Sequence, residues 1–153
     1  MSFFTGMDIA ASGLTAQRFR LDIITQNLAN VNTTRTPEGG PYQRKTVLFE
    51  SIPMQNGPNN LPQNFGNILH SNLNMYHTKG VQVSGIVKDD TPMPVVYDPT
   101  HPDADIDGYV TMPNVDVVTE MVNMISASRS YEANVTAFNN LKAMNTKALE
   151  LGK

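Results

Sequence analysis

A chain of 153 residues with 40% apolar residues, 7% aromatics and no Trp suits one small domain with extensions, and is lean for a self-contained core. A net charge of −3 excludes the strongly basic balance of a nucleic-acid binder, and the absence of Cys excludes disulfides, zinc-thiolate sites and thiol nucleophiles. No apolar run approaches the roughly 18 residues of a membrane span, so direct membrane insertion is not expected. Residues 1–20 lack the basic and unbroken apolar regions of a standard secretory signal, which leaves the cytoplasm or an export route without one.

The helix breakers are confined to the middle. All ten Pro lie between Pro37 and Pro113. Residues 1–34 read as one helix. Met7, Ala10, Leu14, Gln17, Leu21, Ile24, Leu28 and Val31 alternate spacings of three and four, a heptad pattern over about seven turns. A second apolar row, Ile9, Ala16, Phe19 and Ile23, runs beside the first. A helix with one solvated face does not need it, so burial from two sides is expected, one of them supplied by another chain. Only Asp8, Arg18, Arg20 and Asp22 are charged in the first 34 residues, and Asn27 and Asn30 are available for amide contacts with neighbours.

Residues 35–113 read as a β-rich middle region. Strands are expected at 43–49, 80–87, 94–97 and 109–112, where β-branched and aromatic residues cluster between turn signals. Glu38-Gly39-Gly40-Pro41 marks a turn, and residues 53–67 read as a loop rich in Pro, Gly, Asn and Gln. Residues 114–153 read as the second helix, capped by Asn114 or Asp116, with Glu120 in its first turns and Gly152 as its stop. Its stripe is Val117, Met121, Met124, Ser128, Tyr131, Val135 and Phe138, widened by Val118, Val122 and Ile125.

Asp103-Ala104-Asp105-Ile106-Asp107-Gly108 has the D-x-D-x-D-G spacing of a calcium loop. The twelfth position should be a bidentate Glu and is Asn114; no helix precedes the segment and Pro102 and Pro113 bracket it. A solvated acidic turn is the plainer reading. His70, His77 and His101 match no metal spacing, and no phosphate-binding or nucleophile motif is present. No catalytic residue, metal ligand or cofactor is expected. The Met-rich run 121–124 suits either helix packing or an adaptable binding face.

Several segments resemble the bacterial flagellar rod and hook axial protein family. These are Ser12-Gly13-Leu14-Thr15-Ala16-Gln17, Asn27-Leu28-Ala29-Asn30-Val31-Asn32-Thr33 and the run from Glu120 to Val135. Glu38–Tyr42 and Tyr97–Asp105 resemble its proximal-rod members. The resemblance implies an α+β fold, in which the terminal helices pair as an antiparallel, coiled-coil-like axial domain around a small inserted β-rich domain. It implies a non-enzymatic rod subunit that assembles helically in the periplasmic space and transmits motor torque. Its partners would be copies of itself, other rod subunits, the MS-ring and export-gate end of the basal body, and the distal rod. Delivery would be by the flagellar type III export apparatus. On this reading Leu14, Leu21, Ile24, Leu28, Met121, Ile125, Tyr131, Val135 and Phe138 pack the helices. Phe19, Ile23, Asn27 and Asn30 contact neighbouring subunits, and the helices are largely disordered in the free monomer. A calcium-binding or regulatory module centred on Asp103–Asp107 is the alternative.

Overall fold

The computed structural model describes residues 5–52 and 80–150. Helix α1 spans Thr5–Ala29 and helix α2 spans Val117–Glu150. Between them lie β1 (Lys45–Ser51), β2 (Val81–Lys88), β3 (Val95–Tyr97) and β4 (Tyr109–Thr111). The expected α+β architecture stands, with each of the four strands within about two residues of its expected bounds at either end. The expected loop at 53–67, together with His70, His77 and Gly152, lies outside the described residues.

The two helices run antiparallel along a close seam. Met7 meets Asn145, whose amide donates to the Met7 sulfur at 3.3 Å. Further along, a Cβ on Gly13 would lie 3.0 Å from the Asn134 amide, and one on Gly6 would lie 3.3 Å from Leu141. At the far end Asn27 meets Glu120. Small residues on α1 thus let α2 approach closely, and much of the seam is amide rather than aliphatic.

The turn after α1 is local. Thr33 N–H donates to the Asn30 carbonyl at 3.0 Å, and Thr36 N–H to that of Gly40 at 2.9 Å. Gly39 (φ 89°) and Gly40 (φ 74°) take up the left-handed backbone that this turn requires. The chain then enters an antiparallel pair, with Lys45 opposite Lys88 and Ser51 opposite Val81. A bulge between Leu48 and Phe49 leaves Ser84 as the extra residue on β2 and turns the hairpin. A second, smaller pair sets Val95 opposite Thr111 and Tyr97 opposite Tyr109, with the two tyrosine rings edge to face at 5.3 Å. Asp116 caps α2 by accepting from the N–H groups of Val118 (3.3 Å) and Thr119 (3.1 Å).

The β1–β2 hairpin lies against α1. Ser12 Oγ accepts from the Val81 N–H at 3.1 Å, and a groove of about 340 Å³ between the two is lined by Thr15, Ala16, Phe19, Val81 and Val83. Ala16 and Ile23 are buried, and Ile23 and Ile24 line one hollow with Val47 and Phe49. This corrects part of the expectation that another chain must cover the second apolar row. The β1–β2 strands of the same chain cover Ala16 and Ile23, while Ile9 stays exposed and Phe19 half-buried.

Candidate functional site

Two features stand out above the packing: a buried polar node and an uncovered apolar face. The node joins the end of α1, the start of β1, the end of β2 and the start of α2. Glu120 is 0% exposed and Asn27 is 1% exposed. The Asn27 side-chain amide donates to Glu120 Oε2 at 2.9 Å and to the Lys45 carbonyl at 2.9 Å. Its carbonyl oxygen accepts from the Lys45 N–H and from the Tyr42 hydroxyl, both at 3.0 Å. On the other side, Arg44 grips Glu120 Oε1 through Nε (3.0 Å) and Nη2 (2.7 Å), and reaches Asp89 through Nη1 (3.0 Å). Asn114 closes the ring. It accepts from the Arg44 N–H at 2.8 Å and donates to the Asp89 carbonyl at 2.9 Å.

The chain positions these groups by simple means. Tyr42 and Arg44 flank the point at which the chain leaves the glycine turn, so both precede the first paired residue of β1. Glu120 comes one turn after the Asp116 cap and faces α1. Burial acts to lower the Arg44 pKa, but the hydrogen bonds and charges of Glu120 and Asp89 outweigh it and raise the pKa above the usual value. Burial pushes the Tyr42 hydroxyl up, and the Glu120 charge adds to this. With its lone pairs satisfied, the node is a clamp rather than a reactive centre.

The sequence reading did not find this node. Glu120 reads there as a helix-dipole residue and Asn27 as a contact between subunits. The structure corrects the Asn27 assignment, since all its hydrogen-bonding partners lie within its own chain and none of its surface is left for a neighbour. Ile23 is buried too, under the hairpin rather than under another subunit. One signal was available: a Glu preceding a strongly apolar run, with a single Arg at the head of a strand.

The other expected residues fall into three groups. Ile24 is buried, and Leu14, Phe19, Leu21, Leu28 and Asn30 are half-buried along α1 and its end. Tyr131, Val135 and Phe138 are half-buried on α2. Met121 and Ile125 are not in the helix seam. Its inward positions are Glu120, Met124, Ala127, Tyr131 and Asn134, while Met121 and Ile125 point away with Val118 and Val122. Val122 is 61% exposed and Ile125 55% exposed. Four large apolar side chains within two turns of helix therefore form an uncovered face, the kind of surface that marks an interaction site.

The acidic turn gathers no metal cage. Asp103 accepts from the Thr34 hydroxyl at 2.7 Å, and Asp105 Oδ1 accepts from the Ile106 N–H at 2.8 Å. Among the described residues no three His, Cys, Asp or Glu side chains come together as ion ligands.

Residues 7–35 match the family described as flagella basal body rod protein, and residues 106–151 match the C-terminal family of flagellar basal body rod FlgEFG proteins. The chain is 46% identical over 155 residues to the flagellar basal-body rod protein FlgC of Borreliella burgdorferi, covering 99% of this chain and 98% of that one. It is 46% identical over 159 residues to FlgC of Bacillus subtilis, and 41% identical over 155 residues to FlgC of Salmonella typhimurium, in both cases across the full length of each protein. With both helices and the intervening strands matched from end to end, the chain belongs to the FlgC family of flagellar basal-body rod proteins.

Proposed function

We infer that the chain is a structural subunit of the bacterial flagellar basal-body rod. The observation that carries this is the full-length similarity to rod proteins, which includes both helices. The uncovered Val118–Ile125 face supports a role in assembly, because a subunit built to stand alone gains nothing from it.

The subunit belongs to the proximal part of the rod, in the periplasmic space, and transmits torque as one element of a helical stack. Contacts that do not close on themselves build such a stack, and close-packed helices give it stiffness. The polar node keeps the hairpin from shifting relative to α1 and α2 under load. Its partners are other rod subunits and copies of itself, with the export-gate end of the basal body below and the distal rod above. Among the described residues no helix is long and apolar enough to cross a membrane. Export through the flagellar type III apparatus accounts for delivery, and the subunit carries out no chemistry of its own.

The test is complementation. Deleting the gene should abolish swimming, and supplying this chain should restore it with the chain present in purified basal bodies. Restored swimming with the chain absent from basal bodies would refute the assignment. Calorimetry with calcium checks the alternative: heat of binding that is lost on Asp105→Asn would revive the Asp103–Asp107 module.

A further inference from the structure

The exposed stripes of the two helices complement each other. Neither can satisfy the other within one chain, because they face opposite ways across the α1–α2 seam. On α1 the outward positions include Arg18, Asp22, Thr25 and Ala29, all exposed. On α2 they include Val118, Val122, Ile125, Arg129 and Glu132, also all exposed. None of Arg18, Asp22, Arg129 and Glu132 takes part in the ion pairs found among the described residues, which join Arg44 to Asp89 and Glu120, and Lys88 to Glu38.

We propose that the outward face of α2 receives the outward face of α1 from a second copy of this chain, with the two helices antiparallel. Setting Arg129 opposite Asp22 fixes the register. Moving back four residues on α1 reaches Arg18, and moving on three along α2 reaches Glu132, so the second pair also has opposite signs. In the other direction the same register sets Ile125 against Thr25 and Val122 against Ala29, a large residue against a small one in each case. Parallel alignment loses this match, because it sets Arg18 close to Arg129 when Asp22 meets Glu132. Charge order selects orientation and register, and the apolar pairs supply the burial. The contact is heterologous. It leaves α2 of one copy and α1 of the other free, and therefore propagates.

The inference rests on the rod-subunit reading, and the experiment separates the two. The chain has no native Cys, so Thr25→Cys and Ile125→Cys can be combined without background. Basal bodies are purified from cells whose only copy of the gene is this variant, then treated with a short bis-maleimide. A ladder of dimers and higher multiples is expected from the double variant, and monomer alone from either single variant. An incorporated double variant that gives no ladder overturns the pairing and leaves the rod reading intact. Absence of the wild-type chain from basal bodies refutes the rod reading itself. Charge exchange gives the second arm. Asp22→Arg and Arg129→Asp should each lower incorporation by about tenfold or more, because each sets like charges against one another. The two together should restore it. Failure of the double exchange to recover incorporation also overturns the pairing.

Discussion

Asn27 and Glu120 lie 93 positions apart in the chain, yet their side chains meet at 2.9 Å with essentially no exposed surface. This single hydrogen bond ties the last turn of α1 to the first turns of α2. Arg44 holds the same carboxylate from the strand side. Removing Glu120 leaves the buried Asn27 amide short of an acceptor and leaves Arg44 to Asp89 alone, which costs about 3 kcal/mol, the low end for a broken buried ion pair. Glu120→Ala should therefore destabilise the chain by that amount in urea unfolding. Asn27→Ala should cost less, about 1–3 kcal/mol, since it removes a neutral group and leaves Arg44 in place. A loss below about 0.5 kcal/mol in both would show that the node is not a clamp.

The close approach at Gly13 yields a double-mutant cycle. Ala at this helical position should gain up to about 1 kcal/mol of propensity. Its Cβ would, however, lie 3.0 Å from an Asn134 amide that already donates to the Ser130 carbonyl. Gly13→Ala should thus lower stability in the native background and raise it in Asn134→Ala. The same sign in both backgrounds would mean that the two side chains do not meet.

Hydrogen exchange should report an uneven helix pair. α1 is covered on two sides, by α2 and by the hairpin, whereas α2 has only Glu120 and Ala127 buried among its described residues. Amides of α1 and of residues 120–127 should be the more protected, and those beyond residue 135 should exchange fastest. This differs from the largely disordered helices expected of a free monomer whose apolar faces lack partners. Equal protection along the full length of α2 in dilute protein would contradict it.

Acid should weaken the fold through the local carboxylate caps. The Thr91 hydroxyl and N–H lower the Asp89 pKa, with Arg44 adding to the effect. Thr100 does the same for Asp98, and Thr119 for Asp116. A lowered folded-state pKa means that the unfolded chain takes up protons first as pH falls. These contributions are present above the ordinary carboxylate value near 4 and fade below it. Thermal midpoints should hold from pH 7 to about pH 5 and drop steadily below about pH 4. Asp116→Asn should flatten part of that drop.

Exposed and buried apolar residues should separate in their effects. Ile125→Asp changes an exposed position, so the monomer should lose no more than about 0.5 kcal/mol. Swimming should nevertheless stop. Ile24→Asp buries a charge beside Val47 and should unfold the protein outright. Normal motility with Ile125→Asp would remove the α2 face from the assembly surface.

Much of this fold was legible in the sequence. The confinement of Pro to residues 37–113 marked both helices, and clusters of β-branched and aromatic residues between turn signals marked the four strands. Those signals are local, since period and turn chemistry act within a few residues. The family signatures at residues 12–17, 27–33 and 120–135 were equally direct. The sequence could not say which row of α1 meets which partner. Two apolar rows look alike in one dimension, and only the packing of β1 and β2 against α1 shows that Ala16 and Ile23 lie under the strands. For the same reason Asn27 passed for an assembly contact and Glu120 for a dipole residue. Their partnership depends on two helix ends and a strand end meeting in space. Tertiary structure also turned Met121 and Ile125 outward, because Glu120 claims the inward position at the start of α2 and the helical period then sets the faces of the residues that follow.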